Sequence, residues 1–181
     1  MPGAPARADL VARFDAAVEQ AVDGIRGPEL DQIFYALSAA GDHSKIWHSL
    51  AWLRGVASGR RDEARRMSTA LAIESFVTNV VIKTAIGRVR PDRPESDAPL
   101  PYGMRVPITS SFPSGHATAA FTAAVFLSDD DPALAPLWFG LAGAVAFSRV
   151  YVRMHHASDA VAGAAIGLAL GAGLRRILRP R

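Results

Sequence analysis

Cysteine is absent from the 181-residue chain, and lysine is scarce. The lack of cysteine excludes a disulfide scaffold, thiolate metal sites, iron–sulfur ligation and a cysteine nucleophile. Charged residues make up only 20% of the chain, which excludes a disordered polyelectrolyte. Lys45 and Lys83 are the two lysines among 20 basic residues, and the others are arginines. The formal net charge of +3 suits nucleic acid, a phosphate-bearing substrate or an anionic membrane surface, and it does not choose between them.

Strand-like alternation of apolar and polar residues is also missing over any useful length, and so are repeats. The length fits one domain. Apolar residues at helical spacing predict an all-α chain with an N-terminal amphipathic helix in residues 1–28. A six-helix bundle in residues 29–181 is expected to follow, and we predict it to be an integral membrane bundle. Its helices are expected near 29–41, 45–58, 67–86, 114–128, 132–147 (extendable to 152) and 160–174.

Two of these segments favour a membrane over water. Residues 132–147 and 160–174 contain no polar side chain, although each is slightly shorter than the roughly 18–20 residues that span a bilayer. Gly163, Gly167 and Gly171 recur every four residues, a spacing that permits close packing between membrane helices. The N-terminal residues lack the apolar region of a signal peptide. The N-terminal helix fits a plain surface helix as well as a helix docked on a membrane surface.

Arginine clusters predict the orientation of such a bundle. If six helices span, residues 60–66 and 175–181 fall on the same side, and the positive-inside rule makes that side cytoplasmic. Both termini would then be cytoplasmic, in a bacterial plasma membrane. The loop Arg88–Phe112 and the loop that follows residue 152 would face the outer side. A loop as long as Arg88–Phe112 is usually functional.

Three motifs carry residue types that suit a phosphoryl group. The first runs from Lys83 to Arg90-Pro91, and Lys83 and Arg90 share a helix face if the helix persists that far. A lysine in an apolar helix needs an anionic partner, which a phosphate oxygen can supply. The second is Pro113-Ser114-Gly115-His116, where a helix begins. Backbone N–H groups at such an end point towards an anion, and Ser114 could cap the helix or bond a phosphate oxygen.

The third motif runs from Ser148-Arg149 to His155 and Asp159. Arg149 offers a planar fork for two phosphate oxygens. His155 and Asp159 are four residues apart, which lets the carboxylate accept from one imidazole nitrogen and leave the other free to attack. The topology brings all three motifs to one membrane face.

In order and spacing, these residues resemble the type 2 phosphatidic acid phosphatase superfamily, whose signature is K-x6-R-P, P-S-G-H and S-R-x5-H-x3-D. The resemblance implies that His155 is a nucleophile forming a phosphohistidine, oriented by Asp159. It implies that His116 protonates the leaving group and then helps to activate water. It assigns the phosphoryl oxygens to a binding set of Lys83, Arg90, Ser114, Gly115 and Arg149. No metal or cofactor is expected.

The resemblance also implies a membrane phosphatase acting on a lipid phosphate or diphosphate, with membrane lipids as partners and no nucleic acid. A polyprenyl-linked substrate of bacterial envelope synthesis is favoured, and a phosphorylated polyprenyl-phosphoribose is one specific possibility. Phosphatidic acid and phosphatidylglycerol phosphate remain alternatives. A soluble acid phosphatase or vanadium haloperoxidase relative, and a catalytically inactive binding protein, are the other classes. Arg88 flanks the first motif and could meet a lipid head group.

Overall fold

The computed structural model describes residues 4–93 and 100–179, and within these ranges the chain is helical with no strand. This confirms the all-α prediction. A π-helical segment, Val77–Ile82, joins the fourth helix to a single further turn. The helices are α1 (Ala4–Gly24), α2 (Pro28–Ala40), α3 (Lys45–Ala57), α4 (Arg61–Phe76), α5 (Lys83–Ala85), α6 (Gly115–Asp130), α7 (Ala135–Tyr151) and α8 (Ala157–Ile177).

Local capping fixes where the two helices nearest the motifs begin. The Ser114 hydroxyl accepts a hydrogen bond from the Ala117 N–H at 3.4 Å and so caps α6. At the start of α8, the Asp159 carboxylate accepts from the His156 N–H at 2.9 Å, one half of a capping box. Asp159 therefore has a structural role in addition to any role beside His155.

The glycine stripe of α8 lies directly against α6. A Cβ atom on Gly163 would come within 2.6 Å of the Ser114 carbonyl oxygen, and one on Gly171 within 2.9 Å of the Val125 Cβ. A side chain on Gly167 would run into the Thr118 carbonyl oxygen. The close packing predicted from the glycine spacing is therefore present, and it brings the two motif-bearing helix starts together. A hydrogen bond from the Ser114 N–H to the Asp159 carbonyl at 3.1 Å joins them directly.

The first two helices of the expected bundle do not form an antiparallel pair. The side chain of Asp31, early in α2, accepts a hydrogen bond from the hydroxyl of Tyr151 at the last residue of α7. Arg54, late in α3, pairs with Asp131 in the turn between α6 and α7, which is the opposite end of the bundle. Thus α2 and α3 run one after the other in the same direction.

This path changes the position of the N-terminal helix. Asp15 of α1 contacts Ser158 in the first turn of α8, and Glu19 contacts Arg153 in the connection before it, while α8 itself ends at the opposite end. The prediction that both termini lie on one side assumed that α2 and α3 are two separate antiparallel spans, and this assumption is wrong. In the structure, the second half of α1 and the end of α8 lie at opposite ends of the bundle. Arg181 lies outside the described residues.

The end that is remote from the motifs is rich in ion pairs. Asp129 pairs with Arg175 at 3.0 Å and with Arg66 at 3.7 Å, and Asp131 pairs with Arg54 at 3.2 Å. The acidic turn between α6 and α7 therefore gathers arginines from three other helices. As far as residue 179, both arginine-rich regions lie at this end, as the sequence predicts.

Two helical segments, Pro132–Tyr151 and Ala157–Ile177, are long and apolar enough to cross a membrane. Only 39% and 33% of their most apolar windows are buried inside the protein. Their remaining apolar surface faces outward, which suits contact with lipid better than contact with water.

Candidate active site

A cavity of about 950 Å³ opens at the end of the bundle where α6 and α8 begin. Six of the eight site residues predicted from the sequence line it: Lys83, Arg90, Gly115, His116, Arg149 and His155. They come from the three motifs, which are separate in the chain. The three motifs therefore meet in one place, as the sequence predicts.

His155 lies in the short connection between α7 and α8, and its side chain is 2% exposed. Its Nδ1 atom is 2.6 Å from the carbonyl oxygen of Ser111. Because a carbonyl oxygen only accepts hydrogen bonds, Nδ1 carries the proton and Nε2 keeps its lone pair. Nε2 faces the Arg90 guanidinium at 3.5 Å. This is the tautomer that a nucleophile needs, with the reactive nitrogen beside a cation.

The electrostatic surroundings keep the His155 ring neutral. Burial, together with the positive charges of Arg149, Arg90 and Lys83, holds the pKa of the imidazole well below its ordinary value of 6.5. A neutral imidazole at neutral pH is the reactive form of a nitrogen nucleophile.

Asp159 lies beside His155, but the expected hydrogen bond between them is not formed. Its Oδ2 atom is 3.9 Å from His155 Nδ1, and the Ser111 carbonyl takes the position of acceptor. Asp159 is fully buried, and its Oδ1 atom accepts from Arg88 Nη1 at 2.6 Å. Arg88 therefore holds a buried carboxylate in this structure, rather than reaching outward.

His116, in the first turn of α6, has a partner that the sequence did not reveal. Its Nε2 atom is 3.0 Å from Oδ1 of Asp42, which lies in a 3₁₀ turn between α2 and α3. Gly41 allows this approach, because a Cβ atom there would come within 2.7 Å of the His116 ring. A carboxylate that accepts from Nε2 of an imidazole orients the ring and fixes which nitrogen remains free.

Three cations surround the centre of the cavity. Arg90 is held by the carbonyl oxygens of Thr109, Ser110 and Met154. Arg149 is almost fully buried, and its Nη1 donates to the hydroxyl of Ser38. Lys83 Nζ lies close to Gly115, 3.7 Å from where a Cβ atom of that residue would be. Neither Lys83 nor Arg149 forms an ion pair shorter than 3.9 Å within the described ranges, so their charges remain available to an anion.

Two details of the predicted phosphate-binding set differ in the structure. Helix α5 ends at Ala85, so Lys83 and Arg90 do not share a helix face, and both reach the cavity because the chain turns back after the helix. Ser114 is fully buried as the cap of α6 and does not line the cavity. Of the two roles left open for Ser114, the structure contains the cap.

The sequence model of the PAP2 superfamily matches residues 63–181, which contain all of these motif residues. The chain belongs to the PAP2 superfamily. It is a phosphatase of that superfamily, and the cavity at the start of α6 and α8 is its candidate active site.

Relatives and solved structures agree with this assignment. The decaprenylphosphoryl-5-phosphoribose phosphatase of Mycobacterium tuberculosis is 33% identical over 91% of this chain and 91% of its own length. The Mycolicibacterium smegmatis protein of the same name is 34% identical over 71% of this chain and 68% of its own.

Two crystal structures have the same fold. The transmembrane PAP2-type phosphatidylglycerolphosphate phosphatase of Bacillus subtilis superposes with a TM-score of 0.72 at 26% identity, covering 93% of this chain and 86% of that protein. Aquifex aeolicus LpxE superposes with a TM-score of 0.71 at 24% identity, covering 89% and 94%. The second shows the shared fold alone.

Proposed function

We propose that this PAP2 phosphatase is an integral membrane enzyme that removes a terminal phosphate from a polyprenyl-linked phosphosugar, with a polyprenylphosphoryl-phosphoribose as the favoured substrate. The observation that carries the proposal is the meeting of His155, His116 and three cations in one cavity. Relatives whose names specify decaprenylphosphoryl-5-phosphoribose support the choice of substrate. A cavity of about 950 Å³ is larger than one phosphoryl group requires and leaves room for a head group.

The first chemical step uses the free nitrogen of His155. Nε2 attacks phosphorus, the bond to the leaving oxygen breaks, and the phosphoryl group becomes attached to the imidazole. His116 gives its proton to the leaving oxygen, so that a neutral alcohol departs. Lys83, Arg90 and Arg149 stabilise the negative charge on the phosphoryl oxygens, which is usually the largest catalytic contribution.

The second step releases phosphate. His116, now neutral, takes a proton from water as the water oxygen attacks phosphorus, and the bond to His155 breaks. Asp42 supports His116 in both of its protonation states by holding the ring in one orientation. The Ser111 carbonyl keeps the His155 ring in place by its hydrogen bond to Nδ1. The negative charge of Asp159, 3.9 Å from the same nitrogen, stabilises positive charge on the ring.

The proposal includes the membrane placement. The domains are an N-terminal segment in residues 1–28, which contains α1, and a phosphatase core in residues 29–181. The arginine-rich end of the bundle faces the cytoplasm by the positive-inside rule, and the cavity faces the outer side of a bacterial plasma membrane.

A panel of lipid phosphates tests this function. Purified protein in detergent is given polyprenylphosphoryl-phosphoribose, a prenyl diphosphate, phosphatidylglycerol phosphate and phosphatidic acid, and phosphate release is measured. The phosphoribosyl lipid should have the highest kcat/KM, and His155→Ala should abolish release. Phosphohistidine is labile in acid and stable in alkali, so the intermediate is trapped by rapid quench at high pH with ³²P-labelled substrate.

One specific observation favours a second candidate, phosphatidylglycerol phosphate. The B. subtilis structure, whose name gives that substrate, covers 93% of this chain at 26% identity. Preference for phosphatidylglycerol phosphate in the panel would replace the phosphoribosyl assignment and leave the catalytic roles intact.

A further inference from the structure

The N-terminal helix places a buried carboxylate next to the catalytic machinery. Asp15, in the middle of α1, is 6% exposed. Its Oδ1 atom accepts from the Ser158 backbone N–H at 2.8 Å, and its Oδ2 atom accepts from the Ser158 hydroxyl at 2.8 Å and from Arg88 Nη2 at 2.7 Å. The region that matches the family begins at residue 63, so this carboxylate comes from outside it.

Arg88 extends this contact to Asp159. One of its nitrogens, Nη2, donates to Asp15, while the other, Nη1, donates to Asp159 Oδ1 at 2.6 Å and to the Ser158 hydroxyl at 2.8 Å. A guanidinium is a rigid planar fork, so fixing one side fixes the direction of the other. Asp15 and Asp159 are thus held by one cation, and the first turn of α8 is held by both.

The same turn determines where His155 points. Asp159 closes the cap of α8 through the His156 N–H, and His155 immediately precedes that residue. Without Asp15, Arg88 keeps one carboxylate instead of two, and the Ser158 N–H loses its acceptor. A displacement of the nucleophile by about 1 Å can cost roughly 100-fold in rate.

We propose that Asp15 is a positioning residue of the phosphatase reaction: through Arg88 and Ser158 it fixes Asp159 and the first turn of α8, and so aims the His155 imidazole at phosphorus. This rests on the proposed role of His155 as the nucleophile. The N-terminal helix is then part of the active-site framework and more than an attachment to the membrane surface.

The hydrogen-bond partners of Asp15 favour its charged form. Burial alone would raise the pKa of this carboxyl, but hydrogen bonds from Ser158 and Arg88 outweigh it and hold the pKa below the ordinary value. The carboxylate is therefore ionised at neutral pH, as its pairing with Arg88 requires.

A second contact of α1 provides a matched control. Asp23 pairs with Arg153, which also pairs with Glu19 at 3.0 Å, so this cluster docks the same helix without touching Arg88 or α8. Asp23→Asn should weaken the docking of α1 while leaving the Asp15–Arg88–Asp159 connection in place. Comparison of Asp15→Asn with Asp23→Asn therefore separates an effect on the orientation of His155 from an effect on the docking of α1.

The experiment measures kcat, KM and Tm of the full chain in detergent, with p-nitrophenyl phosphate as substrate. This substrate needs the phosphohistidine chemistry but no lipid head group, so its outcome does not depend on which lipid is the natural substrate. Asp15→Asn should lower kcat about tenfold with KM changed less than about twofold, since the cations that bind phosphate are untouched. Asp23→Asn should keep the wild-type kcat even where it lowers Tm.

Arg88→Lys tests the connection from its other side, because a lysine cannot reach both carboxylates at once, and it should lower kcat to a similar extent. Wild-type kcat in Asp15→Asn would overturn the inference. So would an equal loss of kcat in Asp23→Asn, which would show that docking of α1 alone is responsible. If Asp15→Asn does not fold, Arg88→Lys decides by the same comparison. If the panel showed that the proposed lipid is not a substrate, these kcat comparisons would still test the role of Asp15, because they use p-nitrophenyl phosphate.

Discussion

At the scale of single residues, the feature that leaves Nε2 of His155 without a proton is a backbone carbonyl. Motif spacing predicted Asp159 as the acceptor for one imidazole nitrogen of His155, and the structure places the Ser111 carbonyl in that position, 2.6 Å from Nδ1. A backbone carbonyl exists at every residue and leaves no signal in residue type, so the sequence could not reveal it. The contact of Asp42 with His116 was not predictable for a different reason, because it depends on how α2 and α3 connect.

The cations around His155 predict a pH effect. Because burial and the neighbouring positive charges lower the pKa of the imidazole, its neutral form persists below the ordinary pKa of 6.5, and we expect activity to be lost only at more acidic pH. Arg90→Gln removes one positive charge, so the pKa should rise towards the ordinary value and the acid limb of kcat/KM should move to higher pH.

Arg90→Lys is the control for this shift, since it keeps the charge while losing the planar fork. Both variants should lose activity at the optimum, but the lysine variant should keep the acid limb near its wild-type position. The measurement is kcat/KM for one substrate from pH 4 to 8, so that ionisation of the substrate is common to all profiles. Identical acid limbs in the wild type and Arg90→Gln would contradict the electrostatic account.

The Asp42–His116 pair predicts a dependence on the leaving group. An alkoxide needs protonation as it leaves, whereas p-nitrophenolate leaves readily without it. Asp42→Asn should therefore slow an alkyl phosphate by about 10–100-fold, a part of what general acid catalysis usually contributes. The same variant should slow p-nitrophenyl phosphate much less. Asp31→Asn, which removes another α2-side carboxylate that bonds Tyr151, is the control and should affect both substrates equally.

At the scale of helices, α6 and α8 illustrate what spacing alone can predict. Glycines at every fourth position predicted a close helix contact, and the structure has it. The interruption of α4 by a π-helical segment over Val77–Ile82 has no comparable signal. The segment lies at the cavity, which Asn79 lines together with Lys83. π segments of this kind often occur at functional sites.

The glycine stripe leads to a prediction with an internal control. Gly167→Ala places a Cβ atom against the Thr118 carbonyl oxygen of α6, a backbone atom that cannot move without shifting the helix. We expect a loss of about 1–3 kcal/mol in the free energy of unfolding and a fall in activity, because the start of both helices carries the site. Gly173→Ala, where nothing lies within 4 Å, should retain activity and gain up to about 1 kcal/mol from helix propensity. Thermal unfolding in detergent compares the two, and equal Tm values would show that the contact tolerates a side chain.

At the scale of the whole molecule, the sequence predicted the helical class, most helix positions and the convergence of the motifs at one end. These follow from local periodicity and from residue types that have few other uses. The direction of α2 relative to α3 was not predictable in the same way. Each helix is only 13 residues long, and hydropathy does not distinguish two short antiparallel spans from one broken crossing. An error in the direction of α2 moves α1 to the wrong side of the membrane but leaves the helices after α3 on the correct side.

The side of the membrane on which α1 lies can be measured directly, because a chain without cysteine accepts single-cysteine labelling with no background. Four exposed positions are informative: Gln20 in α1 and Val106 in the long loop near the cavity, and Asp62 and Arg179 at the arginine-rich end. In intact bacterial cells, a membrane-impermeant maleimide should label Gln20→Cys and Val106→Cys, while Asp62→Cys and Arg179→Cys should need permeabilised cells. If Gln20→Cys behaved instead like Asp62→Cys, six spans with both termini inside would be the correct topology. The contact of Asp15 with Ser158 requires the first outcome, since a helix on the cytoplasmic side could not reach the start of α8.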